Sequence, residues 1–290
     1  MRDRPLCAEL SAERSEPVGA TASRIDHWIL LEYRGLWSPE PVTGSALSDA
    51  VKDHLRAQVA ARPRSRLLFI RRPDRRREPG LVCFFGSTPE RGGRFFRVEV
   101  EQHHDLVGVD FTSPGEAPVD HPLVVVCTHG KRDRCCARYG RPLYDSLREL
   151  VEPDRLWQAT HVGGDRFAGN LVCFPHGLYF GRVGPGEAAP LIEEYVAGHI
   201  DLDRYRGRCC YSFPVQAAEE AVRREAEFTE IDDVRLQGTG RTDDGWRVEL
   251  EAGGTVYEVE VTGELGELTY LTCSASELKR PVRYVARILR

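Results

Sequence analysis

The chain has 290 residues, a formal net charge of −5 and 41% hydrophobic residues, which suits one large or two modest folded domains. This mild charge is not that of a general nucleic-acid binder, and the sequence has no run of eighteen apolar residues to form a transmembrane helix. Residues 1–17 are charged and lack the apolar segment of a secretory signal, so we expect a cytoplasmic protein with no nucleic-acid or membrane partner.

The first hundred residues are predicted to form a β-α-β-β-β unit. Residues 1–24 show no periodic pattern, and we expect them to be irregular. Apolar residues at helical spacing after Ser48 predict a helix. The strands are predicted from apolar and β-branched runs at residues 27–33, 66–70, 81–85 and 95–101. Proline, glycine and aspartate in residues 110–122 predict a linker to a second unit.

The second unit has a β-α-β-β-β-α order that is typical of a thioredoxin-like fold. Its strands are predicted at residues 122–127, 155–161, 170–174 and 177–183, and its helices at 137–151 and 187–200. The first unit repeats part of this order, so we interpret it as a related, degenerate half.

The C-terminal part is predicted to be a small antiparallel α+β unit. A connector at residues 201–214 leads to a helix at 215–228, and four strands follow at 234–238, 246–251, 255–261 and 268–273. The predicted fold class is therefore α/β (α+β), divided into residues 1–115, 116–205 and 206–290.

A cysteine-rich loop, CTHGKRDRCC, follows the first strand of the second unit. Cys127 ends that strand and Cys136 begins the next helix, whose positive N-terminal end would favour a thiolate. No C-x-x-C pair is present, and the eight residues between the two cysteines make a wide gap for a zinc knuckle. Such a loop can wrap around something larger than a single ion. A disulfide framework is not expected in a cytoplasmic chain of this size.

The stretch THVGGDRFAGN at residues 160–170 ends the following strand. Gly163 and Gly164 permit a sharp turn, and His161 and Asp165 flank it with both side chains on one side. In a thioredoxin-like arrangement this turn lies beside the cysteine loop. The sequence therefore predicts that these two side chains converge with Cys127 and Cys136 as possible metal ligands.

These two motifs, together with LYFGRV, resemble those of the sucrase/ferredoxin-like family. The resemblance also includes GATASRIDHWILLEYRGLW and covers about the first 210 residues. It implies a thioredoxin-like ferredoxin whose 2Fe–2S cluster is bound by two cysteines of a C-x8-C loop and two histidines of an H-x-G-G-H turn. Carried over by position, the ligands are Cys127, Cys136 and His161, and Asp165 stands where the second histidine would be.

This departure leaves the fourth ligand open. Iron in 2Fe–2S clusters is usually bound by cysteine or histidine, and a carboxylate is a harder ligand that would lower the reduction potential. Three outcomes are open. In the first, Asp165 is the fourth ligand; in the second, Cys135, Cys173 or His176 takes its place; in the third, the cluster is absent or labile. The first of these is our expectation. Cys135 is also expected to point away from Cys136, Cys173 to lie in the core, and His176 to be exposed.

We therefore expect an electron-transfer or redox-sensing protein with a 2Fe–2S cluster, rather than a stand-alone enzyme. Its redox partner protein is unknown from the sequence. Two alternatives stay open: a metal-free thiol redox protein that uses Cys127, Cys135 or Cys136, and a zinc-stabilised interaction module. Sucrose hydrolysis is not expected, because the sequence shows no convincing pair of catalytic carboxylates.

Overall fold

The computed structural model of the chain describes residues 4–289, and for residues 76 and 77 it describes the backbone alone. Mixed α/β structure is confirmed: a large curled sheet carries helices, and a smaller antiparallel sheet follows it. None of the helices within residues 4–289 is both long enough and apolar enough to cross a membrane.

The large sheet has ten strands in the order β10-β9-β8-β6-β7-β2-β1-β3-β4-β5. The helices are α1 (Cys7–Glu13), α2 (Asp49–Ala60), α3 (Arg134–Leu147), α4 (Pro185–Val196) and α5 (Phe213–Glu225). The strands of this sheet are β1 (His27–Glu32), β2 (Ser65–Arg71), β3 (Leu81–Ser87), β4 (Arg94–Val100), β5 (Ala117–Pro118), β6 (Leu123–Cys127), β7 (Leu156–Ala159), β8 (Leu171–Phe174), β9 (Leu178–Phe180) and β10 (Tyr205–Arg208).

The same strand arrangement occurs twice in this sheet, as the sequence pattern predicted. In the first half, β1 and β2 are joined by α2 and pair in parallel. On the other side of β1, β3 pairs antiparallel with β1, and β4 pairs antiparallel with β3. In the second half, β6 and β7 are parallel around α3, and β8 and β9 continue antiparallel from β6. The two halves meet where β2 pairs antiparallel with β7, with Ile70 opposite Ala159 and Arg71 opposite Gln158.

Side chains alternate along β6, and this alternation decides which of them face the predicted site. Val125 and Cys127 belong to a core that also contains Trp28 of the first half. Val124 and Val126 face the opposite side, where residues of α3 and α4 cover them. Cys127 thus ends β6 on the face that the two halves share.

The N-terminal segment was predicted to be irregular, but it contains helix α1. A helix of 7 residues is too short to be stable alone, so tertiary packing must stabilise it. Cys7, Ala8 and Ser11 are buried on its inner side, and α1 packs against the short 3-10 helix Asp165–Phe167.

The C-terminal part also differs from the prediction. The predicted connector contains strand β10, which pairs with β9 at the sheet edge. The smaller sheet consists of β11 (Val234–Arg241), β12 (Trp246–Ala252), β13 (Thr255–Leu265) and β14 (Val282–Ile288). The predicted strand at 268–273 is wrong: this segment forms only an isolated bridge between Thr269 and Lys279, since β13 runs on to Leu265 and pairs with β14.

The predicted division into residues 1–115, 116–205 and 206–290 stays a prediction. Strands from the first two of these segments share one sheet, so their boundary is not a break in hydrogen bonding.

Helix α3 approaches the end of β6 closely at Gly140. A Cβ atom there would lie 1.9 Å from the Cys127 carbonyl oxygen, a backbone atom that cannot move aside easily. The absence of a side chain at this position lets the helix lie directly over the predicted site.

We expect Gly140→Ala to destabilise the protein by about 1–3 kcal/mol, because the added methyl group overpacks this contact. Gly186→Ala in α4 is the matched control, since a Cβ there meets nothing within 4 Å. Urea unfolding of both variants measures the difference, and equal midpoints would contradict the importance of the contact.

Candidate metal centre

Cys127 and Cys136 are positioned by the end of β6 and the first turn of α3. The helix begins at Arg134, upstream of its predicted start at residue 137, because the Asp133 carboxylate caps it. This carboxylate accepts a hydrogen bond from the Cys135 backbone N–H at 2.8 Å. Cys136 is therefore in the first turn, and both thiols of the predicted pair are buried, with each residue 1% exposed.

The turn at residues 161–165 is held by the buried guanidinium of Arg206. Gly163 and Gly164 have φ angles of 102° and 80°, a backbone region that favours glycine. A Cβ on Gly164 would lie 2.3 Å from Arg206 Nη2. Arg206 Nη1 donates hydrogen bonds to Gly163 O at 3.0 Å and Asn170 Oδ1 at 2.8 Å. Glycine at both positions thus permits the turn, and glycine at position 164 leaves room for the Arg206 side chain.

The structure brings all four predicted residues together. One donor atom each from Cys127, Cys136 and His161 lies within 4.8 Å of the other two. Asp165 adjoins them: its Oδ1 is 3.2 Å from Cys136 Sγ and 2.9 Å from His161 Nδ1. His161 Nδ1 is 3.8 Å from Cys136 Sγ. We call these four residues the first cysteine group.

Electrostatic interactions within the group favour a charged imidazole and one thiolate. Burial opposes protonation of His161, but hydrogen bonds with Asp165 and Cys127 outweigh it and raise the His161 pKa from 6.5 to about 9. A hydrogen bond from Cys136, assisted by His161, holds the pKa of Cys127 well below its usual value. The pKa of Cys136 is correspondingly raised by the Cys127 thiolate and by burial. Because metal ligands must be deprotonated, metal binding here releases protons.

Two of the alternative fourth ligands lie elsewhere. Cys173 is buried in β8 within the core on the opposite face of the sheet, so its predicted core position is confirmed. His176 was expected to be exposed, but it is half-buried, and its Nδ1 shares a 2.9 Å hydrogen bond with the Tyr195 hydroxyl. The turn that carries His176 packs under α4, which accounts for its burial.

Cys135 also points away from the first cysteine group, as predicted. Its Sγ is 3.5 Å from that of Cys7 and 3.3 Å from that of Cys273. Consecutive residues of a helix are about 100° apart around its axis, so Cys135 and Cys136 face different surroundings.

Sequence reasoning missed two residues of the site. His129 is buried in the cysteine loop, with its Nε2 2.9 Å from Ser38 O. Its Nδ1 has no hydrogen-bond partner among the described residues. Its position two residues after Cys127 could have indicated from the sequence that His129 belongs to the site. No sequence pattern indicated Arg206, because it reaches the turn from a strand that is distant in sequence.

Comparison with known proteins gives a family match for the part of the chain that holds the site. The family model described as sucrase/ferredoxin-like matches residues 20–207, which is more than half of the chain.

Several curated yeast relatives carry the name Altered inheritance of mitochondria protein 32. The one from Meyerozyma guilliermondii is 32% identical over 124 residues, which is 39% of this chain and 43% of the relative. The relative from Debaryomyces hansenii is 30% identical over 32% of this chain and 37% of its own length. The relative from Saccharomyces cerevisiae is also 30% identical, over 29% of this chain and 31% of its own length. The chain thus spans less than half the length of these relatives.

Solved structures of a thioredoxin-like [2Fe-2S] ferredoxin from Aquifex aeolicus are also similar. One is 17% identical and covers 31% of this chain and 94% of that chain, with a TM-score of 0.28. The structure of a variant of that ferredoxin, with serine in place of one cysteine, is 18% identical. It covers 29% of this chain and 97% of the ferredoxin chain, with a TM-score of 0.26. The similarity is confined to less than a third of the chain.

In the metal-free protein, the hydrogen bond between His161 and Asp165 should have a measurable pH dependence. The folded pKa of His161, about 9, is above the ordinary value of 6.5, so the stabilisation is complete below about pH 6.5 and is lost as the pH rises through about 9. We expect Asp165→Asn to lower the His161 pKa and to reduce the free energy of unfolding more at low pH than at high pH.

Histidine NMR titration and urea unfolding across this pH range measure the two effects. Asp243→Asn, in the exposed turn between β11 and β12, is the control for loss of a carboxylate. An unchanged His161 titration in the Asp165→Asn variant would contradict the assigned cause.

Proposed function

The chain belongs to the sucrase/ferredoxin-like family, and from this premise we propose that it is a redox protein that binds a 2Fe–2S cluster through the first cysteine group. One observation carries the proposal: donor atoms from a strand end, a helix start and a distant turn lie within 4.8 Å of one another. When bound, such a cluster would accept and release one electron at a time. Electron transfer and redox sensing both require this property.

The chemistry of the donor set fits a 2Fe–2S cluster. Thiolate sulfur and imidazole nitrogen are the usual ligands of its iron, and Cys127, Cys136 and His161 supply both kinds. A buried thiolate is costly unless a positive charge compensates it. In the metal-free protein the charged imidazole of His161 compensates the Cys127 thiolate, and a bound, positively charged metal would compensate the thiolates of both cysteines.

Asp165 is the residue we propose as the fourth ligand. It occupies the position of the family's second histidine, and it already contacts Cys136 and His161 within 3.2 Å. Cys173 and His176 have other surroundings, and Cys135 faces away. A carboxylate in place of an imidazole adds negative charge near the iron and favours the oxidised state.

His161 is the part of the group that meets solvent. Its side chain is 24% exposed, whereas the Asp165 side chain is 4% exposed. We propose that His161 takes up or releases a proton at the ring nitrogen that does not bind iron, which couples the redox state to pH. A redox partner protein would approach this edge of the group.

Anaerobic purification followed by iron and acid-labile sulfide analysis tests the cluster. We expect about two irons and two sulfides per chain with visible absorption, a loss of both in Cys136→Ala and His161→Ala, and a weakened cluster in Asp165→Ala. Asp165→His should strengthen the cluster and raise its potential, because imidazole replaces an anionic ligand.

Cys210→Ser is the matched control, since this half-buried cysteine lies outside the first cysteine group. Protein that lacks iron and sulfide, with thiols that are trapped instead by alkylation, would favour the metal-free thiol alternative. Burial of Cys127 and Cys136 argues against that alternative, because exchange needs thiol access.

The reduction potential should fall as the pH rises, because loss of the proton from a histidine ligand adds negative charge near the iron. Protein-film voltammetry or a redox titration across the accessible alkaline range measures this slope. A flat potential would show that His161 is not a ligand, even if a cluster is present.

The cellular location is a separate proposal. The cytoplasmic prediction stays untested, and the names of the yeast relatives refer to mitochondrial inheritance. Cell fractionation with an antibody to the chain would decide between the two compartments.

A further inference from the structure

A second group of cysteines lies next to the first but shares none of its residues. The thiols of Cys7, Cys135 and Cys273 form a nearly regular triangle. Their sulfur atoms are 3.5 Å apart for Cys7 and Cys135, 3.3 Å for Cys135 and Cys273, and 3.6 Å for Cys273 and Cys7. Disulfide sulfurs are about 2.05 Å apart, so these are three separate thiols.

The three cysteines come from distant parts of the chain. Cys7 is the first residue of α1, Cys135 is in the first turn of α3, and Cys273 lies in the loop between β13 and β14. Cys7 and Cys135 are buried and Cys273 is half-buried. Three thiols from separate elements of the chain thus converge on one place.

Hydrogen bonds hold the loop of Cys273 in place. The Cys273 backbone N–H donates to Asp133 Oδ2 at 2.6 Å. Arg4 donates from Nη2 to Cys273 O at 2.5 Å and from Nη1 to Ala275 O at 2.8 Å. These bonds direct the backbone of the loop toward the other two thiols.

Asp133 adds a carboxylate to the triangle. Both of its oxygens are 3.9 Å from Cys7 Sγ, and one lies within 4.8 Å of all three sulfurs. The residue is only 2% exposed. Three thiols and a carboxylate therefore surround one buried point.

We propose that Cys7, Cys135 and Cys273 bind a zinc ion, with Asp133 as the fourth ligand. Tetrahedral zinc has Zn–S distances of about 2.3 Å, which places its sulfur ligands about 3.8 Å apart. The observed separations are close to this value, so small movements of the side chains would complete the site. Several thiolates and a carboxylate together need a compensating cation in a buried place, and a thiolate-rich tetrahedral set is typical of zinc.

The zinc would have a structural role. It would fasten the N-terminal helix and the C-terminal loop to the start of α3, which also carries Cys136 on its other side. A site with four protein ligands has no open position for a substrate.

Zinc analysis of the 290-residue chain tests the proposal. The Cys136→Ala background takes one of the four proposed ligands from the first cysteine group and so weakens it as a competing site. We expect about one zinc per chain in this background after dialysis against a weak chelator. Cys7→Ser and Cys273→Ser should each reduce the zinc content at least about tenfold, and Cys210→Ser should leave it unchanged. X-ray absorption at the zinc edge should show three sulfur ligands.

Asp133→Asn keeps an oxygen that can cap α3, since asparagine also caps helices. It removes the carboxylate charge and one of the two oxygens that accept hydrogen bonds from the backbone N–H groups of Cys135 and Cys273. We expect this variant to keep the content of helix by circular dichroism but to bind zinc at least about tenfold more weakly. Retention of wild-type affinity would remove Asp133 from the ligand set.

Three results would overturn the zinc site itself. One is a Cys136→Ala protein that is folded and yet holds no zinc, with Cys7, Cys135 and Cys273 all open to alkylation. Another is recovery of two of these cysteines as a disulfide. The third is iron and sulfide, instead of zinc, in that background. None of these outcomes depends on whether the first cysteine group binds a cluster.

Discussion

The hydrogen-bonded cap at the start of α3 is the interaction on which both cysteine groups depend. Asp133 sets the first residue of the helix, and the rotation between successive helical residues then sends Cys135 and Cys136 in different directions. Cys136 meets Cys127 and the turn of His161, whereas Cys135 meets segments from the two ends of the chain.

Buried polar contacts of Glu219 link helix α5 to strand β10, where Tyr205 and Arg208 face it. Glu219 of α5 pairs with Arg223 at 3.1 Å and accepts a hydrogen bond from the Tyr205 hydroxyl at 3.0 Å. Tyr205 and Arg206 belong to β10, and Arg206 supports the glycine turn. Breaking such a buried pair leaves an uncompensated charge, so α5, β10 and the turn are expected to respond together to a change in any one of them.

Much of the large sheet could be predicted from the sequence, because its strands are apolar runs bounded by turn residues. The approach of Cys136 to His161 was also predictable, since both lie at the same edge in a thioredoxin-like order of strands. Helix α1, strand β10 and the triangle with Cys7 and Cys273 were not. Each depends on contacts between residues far apart in sequence, and neither residue spacing nor local polarity carries that information.

The prediction of a strand at residues 268–273 shows the opposite error. Alternating apolar residues there match a strand pattern, but hydrogen bonding in a sheet requires a partner edge. β13 continues to Leu265 and is paired with β14, which leaves the alternating segment beside α1 instead. Its cysteine thus lies in a loop that can reach the helix start.

The strand arrangement that occurs twice in the large sheet carries different side chains at equivalent strand ends. Cys127 ends the first strand of the second half, and Glu32 ends the first strand of the first half, where it is buried and accepts hydrogen bonds from Arg34 at 2.8 Å and Arg75 at 3.4 Å. An antiparallel junction between equivalent strands is also the geometry that two identical subunits adopt across a twofold axis. The single chain therefore has the form of a fused pseudo-dimer, in which one lobe holds the first cysteine group and the other has an internal ion pair at the equivalent place.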